Sequence, residues 1–192
     1  MATEQSVDLV DDETVGWFTK AVLIAALTAA LAQISIPLPG TLPPFSLQPF
    51  GMFFAGLVLG PLWGGVALLL YLLVGIAGVP VFSNGNAGLG YVIAGNTGGF
   101  LVGFLVGAVV AGAIAHRSTT PRPVGDLSVP VQVVALTAAV VVVYAIGIPW
   151  LSMVTGLPLA RAAATMAPYV PFDLLKLGVA VAVVQGGYLA SR

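Results

Sequence analysis

Apolar residues in this chain neither alternate nor recur at one helical spacing; they come in long runs broken by short segments of Pro, Gly and Asn. A helix that is hydrophobic all round belongs inside lipid, whereas a helix resting on a soluble core shows one apolar stripe. At about 1.5 Å rise per residue a membrane span needs roughly 20 apolar residues, and fewer where neighbours shelter a short helix. Six runs are predicted as helices: Phe18–Ser35, the short Pro49–Gly60, Leu62–Val79, Thr97–Ala115, Pro130–Met153 and Pro171–Ala190. The expected fold is therefore an all-α integral membrane protein of six transmembrane helices, occupying residues 18–192. Residues 1–17 read as a mobile acidic tail, carrying Glu4, Asp8, Asp11, Asp12 and Glu13.

Composition turns this reading into an exclusion. Of 192 residues 59% are hydrophobic and 7% charged, and mean hydropathy is +1.08. A soluble domain carries about 25% charged residues, so the six basic and seven acidic side chains here cannot coat a water-facing particle. Without a basic stripe there is no nucleic-acid partner, and without cysteine there is neither a disulfide framework nor a thiol nucleophile. Ala30-Leu31-Ala32 resembles a signal cleavage site, but the residues ahead of that run are acidic rather than basic, so a retained first helix is expected. With six spans both termini lie on one side. Lys20, Arg117, Arg122 and Arg192 fall on that side and only Arg161 opposite, which places the termini in the cytoplasm.

The three loops on the far side are the chemically rich ones. Ile36–Pro49 holds five prolines, Val79–Asn96 is rich in Gly and Asn, and Thr155–Pro171 accommodates a short helix. Such segments favour fixed turns over helix extension and suit a lid over an outward-facing pocket. Most of the polar candidates collect there: Gln33, Gln48, Asn84, Asn86, Asn96 and Thr97, with Arg161 and the pair Asp173 and Lys176. Gln132 and Gln185 fall toward the cytoplasmic side, in a wet or interfacial location. Asp173 and Lys176 are spaced i, i+3 and share one helix face. Each charge costs about 2.5 to 3.5 kcal/mol at mid-membrane, so the pair points to function, in a site for a small, polar, planar ligand with N–H donors and a carbonyl. An enzyme is not expected: the single histidine, His116, sits at the other end of its helix with no nucleophile motif, and no cluster would hold a metal.

Small residues recur every fourth position at Ala21, Ala25 and Ala29, with a second register at Ala26 and Ala30; at Gly95, Gly99, Gly103, Gly107, Ala111 and Ala115; and at Gly178, Ala182 and Gly186. Such stripes let helix backbones approach closely in lipid. The later two are expected to pack within the monomer, while the first is open to either packing or docking.

The succession "IPLP…PFSLQPFGMFFAGLVLGPLWGGVALLLYLLVGIAGVPVFSNGNAGLGYVIAGNTGGFLVGF" followed by "PFDLLK" resembles the BioY family, the biotin-binding S components of energy-coupling-factor (ECF) transporters. It covers roughly residues 20 to 190. The resemblance implies an S-component bundle with external lid loops, a biotin site on the external side near the start of helix six, and no cofactor. It implies as partners a membrane coupling T component and two cytoplasmic ATPases, in the cell membrane. By this resemblance Asp173 and Lys176 belong to the biotin site, and Ala21, Ala25 and Ala29 match a docking surface for the coupling subunit. Asn84, Asn86, Asn96 and Gln48 are further candidate contacts, and Phe82, Tyr91, Phe45 and Tyr169 are candidates to pack on the ring and chain. The turn "GPLWGG" lacks the basic residues often found there in the family. Arg161, Lys176 or water remain as partners for the vitamin's carboxylate. An S component for another small vitamin, or a non-catalytic interaction subunit, is the alternative.

Overall fold

The structure is a computed structural model that describes residues 11–36 and 43–190. Residues 1–10, 37–42 and 191–192 lie outside the described residues, and with them Glu4, Asp8, part of the first proline-rich loop and Arg192. The described elements, in order, are α1 (Asp12–Ala32), β1 (Ser35–Ile36), β2 (Phe45–Ser46), α2 (Pro49–Ile76), α3 (Leu89–Ile93), α4 (Gly98–His116), α5 (Val129–Thr155), α6 (Leu159–Met166) and α7 (Tyr169–Ala190). Five of these, α1, α2, α4, α5 and α7, are long and apolar enough to cross a membrane.

Helix α1 begins at Asp12, inside the stretch read as a tail. Asp11 caps it by accepting the Thr14 N–H at 2.6 Å, and Asp12 and Glu13 face the positive end of the helix dipole. Acidic residues that look like tail in a hydropathy scan are thus the first turn of a helix. The first proline-rich loop holds a feature that a helical pattern could not announce, a two-residue antiparallel ladder pairing Ser35 with Ser46 and Ile36 with Phe45.

The runs expected as the second and third helices form the single element α2, broken at Gly60. Its φ of 71° and ψ of −171° suit glycine, and Pro61 follows without an N–H to donate. The break reverses the chain. A Cβ on Gly64 would lie 2.6 Å from the Ala55 carbonyl oxygen, and Gln48 Nε2 donates to the Tyr71 hydroxyl at 2.5 Å. In a straight helix Ala55 and Gly64 would stand roughly 13 Å apart.

Helix α4 lies between α2 and α5, α1 packs on α2, and α7 leans on both α2 and α5. Of the α4 span 61% is buried, against 17% of α1 and 28% of α7, so α4 is the central post and the outer two face lipid. The α4 stripe makes this possible: a Cβ at Gly99 would strike Trp150, at Gly103 Val143, and at Gly107 Met52. The α7 stripe behaves otherwise. Gly178, Ala182 and Gly186 are exposed, and a Cβ at Gly178 or Gly186 would meet nothing within 4 Å, contrary to the packing expected of them. Gln132 also departs from expectation: it is fully buried, donating to the Leu127 carbonyl at 2.8 Å, and half-buried Gln185 reaches the same oxygen at 3.3 Å. The amides lace α5 and α7 to the preceding turn.

Candidate ligand-binding site

The starts of α2, α4 and α7 and the second half of α5 meet at one end of the bundle, under the chain from Pro43 to Gln48. Between them lies a partly enclosed cavity, lined by residues of all four helices and of the overlying chain. Most of its wall is apolar, from Phe100, Leu101, Phe104, Val143 and Met166. Its polar groups fall into two clusters.

The first is built on α7. Lys176 Nζ donates to Asp173 Oδ1 at 2.9 Å, and the Tyr144 hydroxyl of α5 donates to the other carboxylate oxygen at 2.5 Å. Both charges are withdrawn from solvent, the Lys176 side chain 6% and the Asp173 side chain 14% exposed. Lys176 also sits 4.1 Å above the centroid of the Phe45 ring, which Phe172 meets edge-on at 5.3 Å. The ammonium is thus held by a carboxylate on one side and a π face on another. Further up α7, Tyr169 donates from its hydroxyl to the Pro43 carbonyl, fastening the overlying segment to the helix. An ionised carboxylate has about four acceptor positions and an ammonium three donors. Both groups therefore retain capacity to bind a ligand while neutralising each other.

The second cluster is built on Gln48. Its side-chain oxygen accepts from Ser46 at 3.0 Å and Ser83 at 2.6 Å; its amide donates to Tyr71, whose hydroxyl passes the bond to the Val81 carbonyl at 3.0 Å. The chain of bonds locks the β2 segment to the Val81–Ser83 turn. Near the mouth, Thr97 Oγ1 is buried with no partner. A buried hydroxyl without a bond costs free energy, and one that lines a cavity is positioned to be satisfied by what enters it.

Of the residues singled out from the sequence, Asp173, Lys176, Gln48, Thr97 and Tyr169 line this cavity. Asn84, Asn86, Asn96 and Tyr91 line a separate depression beside it, of about 670 Å³, that shares Pro44 and Thr97 with the cavity. Phe82 lines neither. It is fully buried, stacked on Tyr91 at 5.5 Å and edge-on to Tyr71 at 5.6 Å, where it fills the space left by Gly75. Tyr144, Ser46 and Ser83 escaped sequence reasoning altogether. Tyr144 lies in an otherwise apolar run, and a polar-tipped aromatic there was the available signal. His116, discounted as a catalytic group, is a structural clasp: its Nδ1 accepts the Arg122 N–H at 3.0 Å and its Nε2 lies 3.1 Å from the Leu57 carbonyl oxygen, beside the α2 reversal.

On α1, Ala21 is fully buried, and Ala25 and Ala29 are half-buried; Ala26 and Ala30 are exposed. Ala25, Ala26 and Ala29 line an apolar groove against Leu70 and Val74 of α2.

Comparison with known proteins supplies the context for this geometry. The BioY family profile matches residues 4–191. A biotin transporter BioY from Rhizobium etli is 38% identical over 164 residues, 80% of this chain and 87% of the relative. One from Rhodobacter capsulatus is 38% identical over 167 residues, covering 82% and 85% respectively. Among solved structures, the S-component for biotin from an ECF-type ABC transporter superposes with a TM-score of 0.83 at 22% identity, covering 96% of this chain and 95% of that one. That likeness establishes a shared fold.

Proposed function

The chain belongs to the BioY family, and from that premise we propose that it is the biotin-capturing S component of an ECF-type vitamin transporter, binding the vitamin in the cavity under Pro43–Gln48. The observation that carries this reading is the Asp173–Lys176–Tyr144 cluster, withdrawn from solvent and facing a mostly apolar hollow. Biotin's ureido group has two N–H donors and one carbonyl on a bicyclic core with an apolar chain. Asp173 accepts from a ureido N–H, Lys176 donates to the ureido oxygen, and Phe100, Leu101, Phe104 and Val143 cover the ring and chain. Hydrogen bonds to charged groups contribute about 1.5 to 3 kcal/mol each, against about −12 kcal/mol for nanomolar binding, so apolar burial at about 25 cal/mol per Å² carries much of the remainder.

With α2 counted as two spans because it reverses at Gly60, the chain crosses the membrane six times and both termini share a side. The cationic residues near the membrane put that side in the cytoplasm and the cavity outside. Energy then comes from a T component and two ATPases. Their dock is the α1 surface, and since Ala21 is covered by the protein itself, the register that includes Ala26 and Ala30 is the more accessible for it. The experiment is equilibrium binding of radiolabelled biotin to the purified full chain, with other vitamins as competitors. Saturable binding displaced by biotin alone is expected. No binding at micromolar biotin would sink the assignment, and displacement by a different vitamin would reassign the ligand.

A further inference from the structure

The groups at the deep end of the cavity balance. Asp173 and Lys176 neutralise each other at 2.9 Å, so a ligand carboxylate placed there would meet no net positive charge and would approach the Asp173 oxygens. A carboxyl-bearing ligand therefore enters with its neutral head inward and its acid toward the mouth. The wall residues Phe104 and Phe100 of α4 and Thr97, which precedes its first turn, mark successive levels, and Phe100 meets the Tyr144 ring at 6.5 Å, which sets it near the level of Asp173. Thr97 is one turn nearer the mouth, and the depression lined by Asn84, Asn86, Asn96 and Tyr91 opens beyond it.

Among the described residues that depression is lined by amides, a phenol, a hydroxyl and backbone, and by no cation. The chain's six basic residues are Lys20, Arg117, Arg122, Arg161, Lys176 and Arg192, so the whole Ile36–Pro49 segment, including its undescribed part, has none to offer. Arg161 is exposed on α6 and lines neither space. Building on the biotin reading above, we propose that the outer depression receives the ligand's tail as a neutral hydrogen-bonding group, so that this protein accepts biotin whose carboxyl is joined to an amine as readily as biotin itself. Thr97 Oγ1, buried and unpartnered at the junction of the two spaces, is a hydrogen-bonding group for that tail, and Asn84 and Asn96 offer both donor and acceptor to a secondary amide.

Displacement of radiolabelled biotin from the purified full chain by unlabelled biotin and by N-ε-biotinyl-lysine tests this. Apparent affinities within about threefold of each other are expected, with the ratio unchanged by Arg161→Gln, and Asn96→Leu should weaken both ligands together. A cation reading the carboxylate would make the amide tenfold or more weaker, and that result overturns the proposal, as does an Arg161→Gln variant that selectively loses free biotin. Tight biotin binding with rejection of the amide leaves the biotin assignment standing and removes this inference alone; failure to bind biotin removes both.

Discussion

The two ends of the helical bundle use similar materials to opposite ends. Around the α2 reversal, Gly56 lies against Ala111 and Ala108, Gly112 against the Gly60–Pro61 backbone, and both ring nitrogens of His116 are engaged. Small residues there bring backbone onto backbone and leave no room. At the other end a cavity lined by aromatic residues and prolines remains between the helices, and the polar groups are tied down by some of their bonding positions only. A buried polar group is a clasp when its partners are all internal and a binding group when positions are left over.

Five substitutions separate these roles. The largest effect is expected at the closed end: a Cβ on Gly112 would lie 2.4 Å from the Gly60 carbonyl carbon and the Pro61 nitrogen, backbone that cannot give way, so Gly112→Val should prevent folding and abolish a monodisperse peak in size-exclusion chromatography. A Gly112→Val protein with normal melting would refute the close-packed account. At the cavity end, Asp173→Asn strands the Lys176 charge, at a cost of about 3 to 5 kcal/mol, and should lower biotin affinity tenfold or more. Adding Lys176→Met should restore thermal stability without restoring binding; recovery of both would show that the pair serves structure only. Tyr144→Phe removes one bond to the carboxylate, worth about 1.5 kcal/mol, and should weaken binding by up to roughly tenfold while leaving the fold intact, as read by isothermal titration. The smallest effect is expected at Thr97→Val, where deleting an unpartnered buried hydroxyl should raise the melting temperature of the empty protein slightly and weaken ligand binding by about fivefold or less. A drop in melting temperature would show that the hydroxyl has a structural partner.

Legibility followed chain locality. The apolar runs were readable because the bilayer requirement acts on each segment separately, and Asp173 and Lys176 were readable as a pair because three residues on a helix is a fixed geometry. The placement of Phe82 and the asparagines was not. Val79–Asn96 carries aromatic and amide residues in close succession, and one turn of backbone decides which faces the core: Phe82 turns under Gly75 while Asn84, at a φ of 60°, turns outward. The α7 glycines show the same limit, since a small-residue stripe is equally compatible with a packed and a bare face.

By itself the sequence determined that the chain lies in a membrane, where it bends, and that one acid–base pair sits within a span, because hydropathy, glycine–proline chemistry and helical spacing are properties of neighbouring residues. Only the tertiary structure decided that Tyr144 completes the Asp173–Lys176 cluster, that Gln48 is tied to Ser46, Ser83 and Tyr71, and that the asparagines form an outer annex. Those groupings join residues from α2, α4, α5, α7 and their loops, and only the packing of helices around the α4 glycines brings them together.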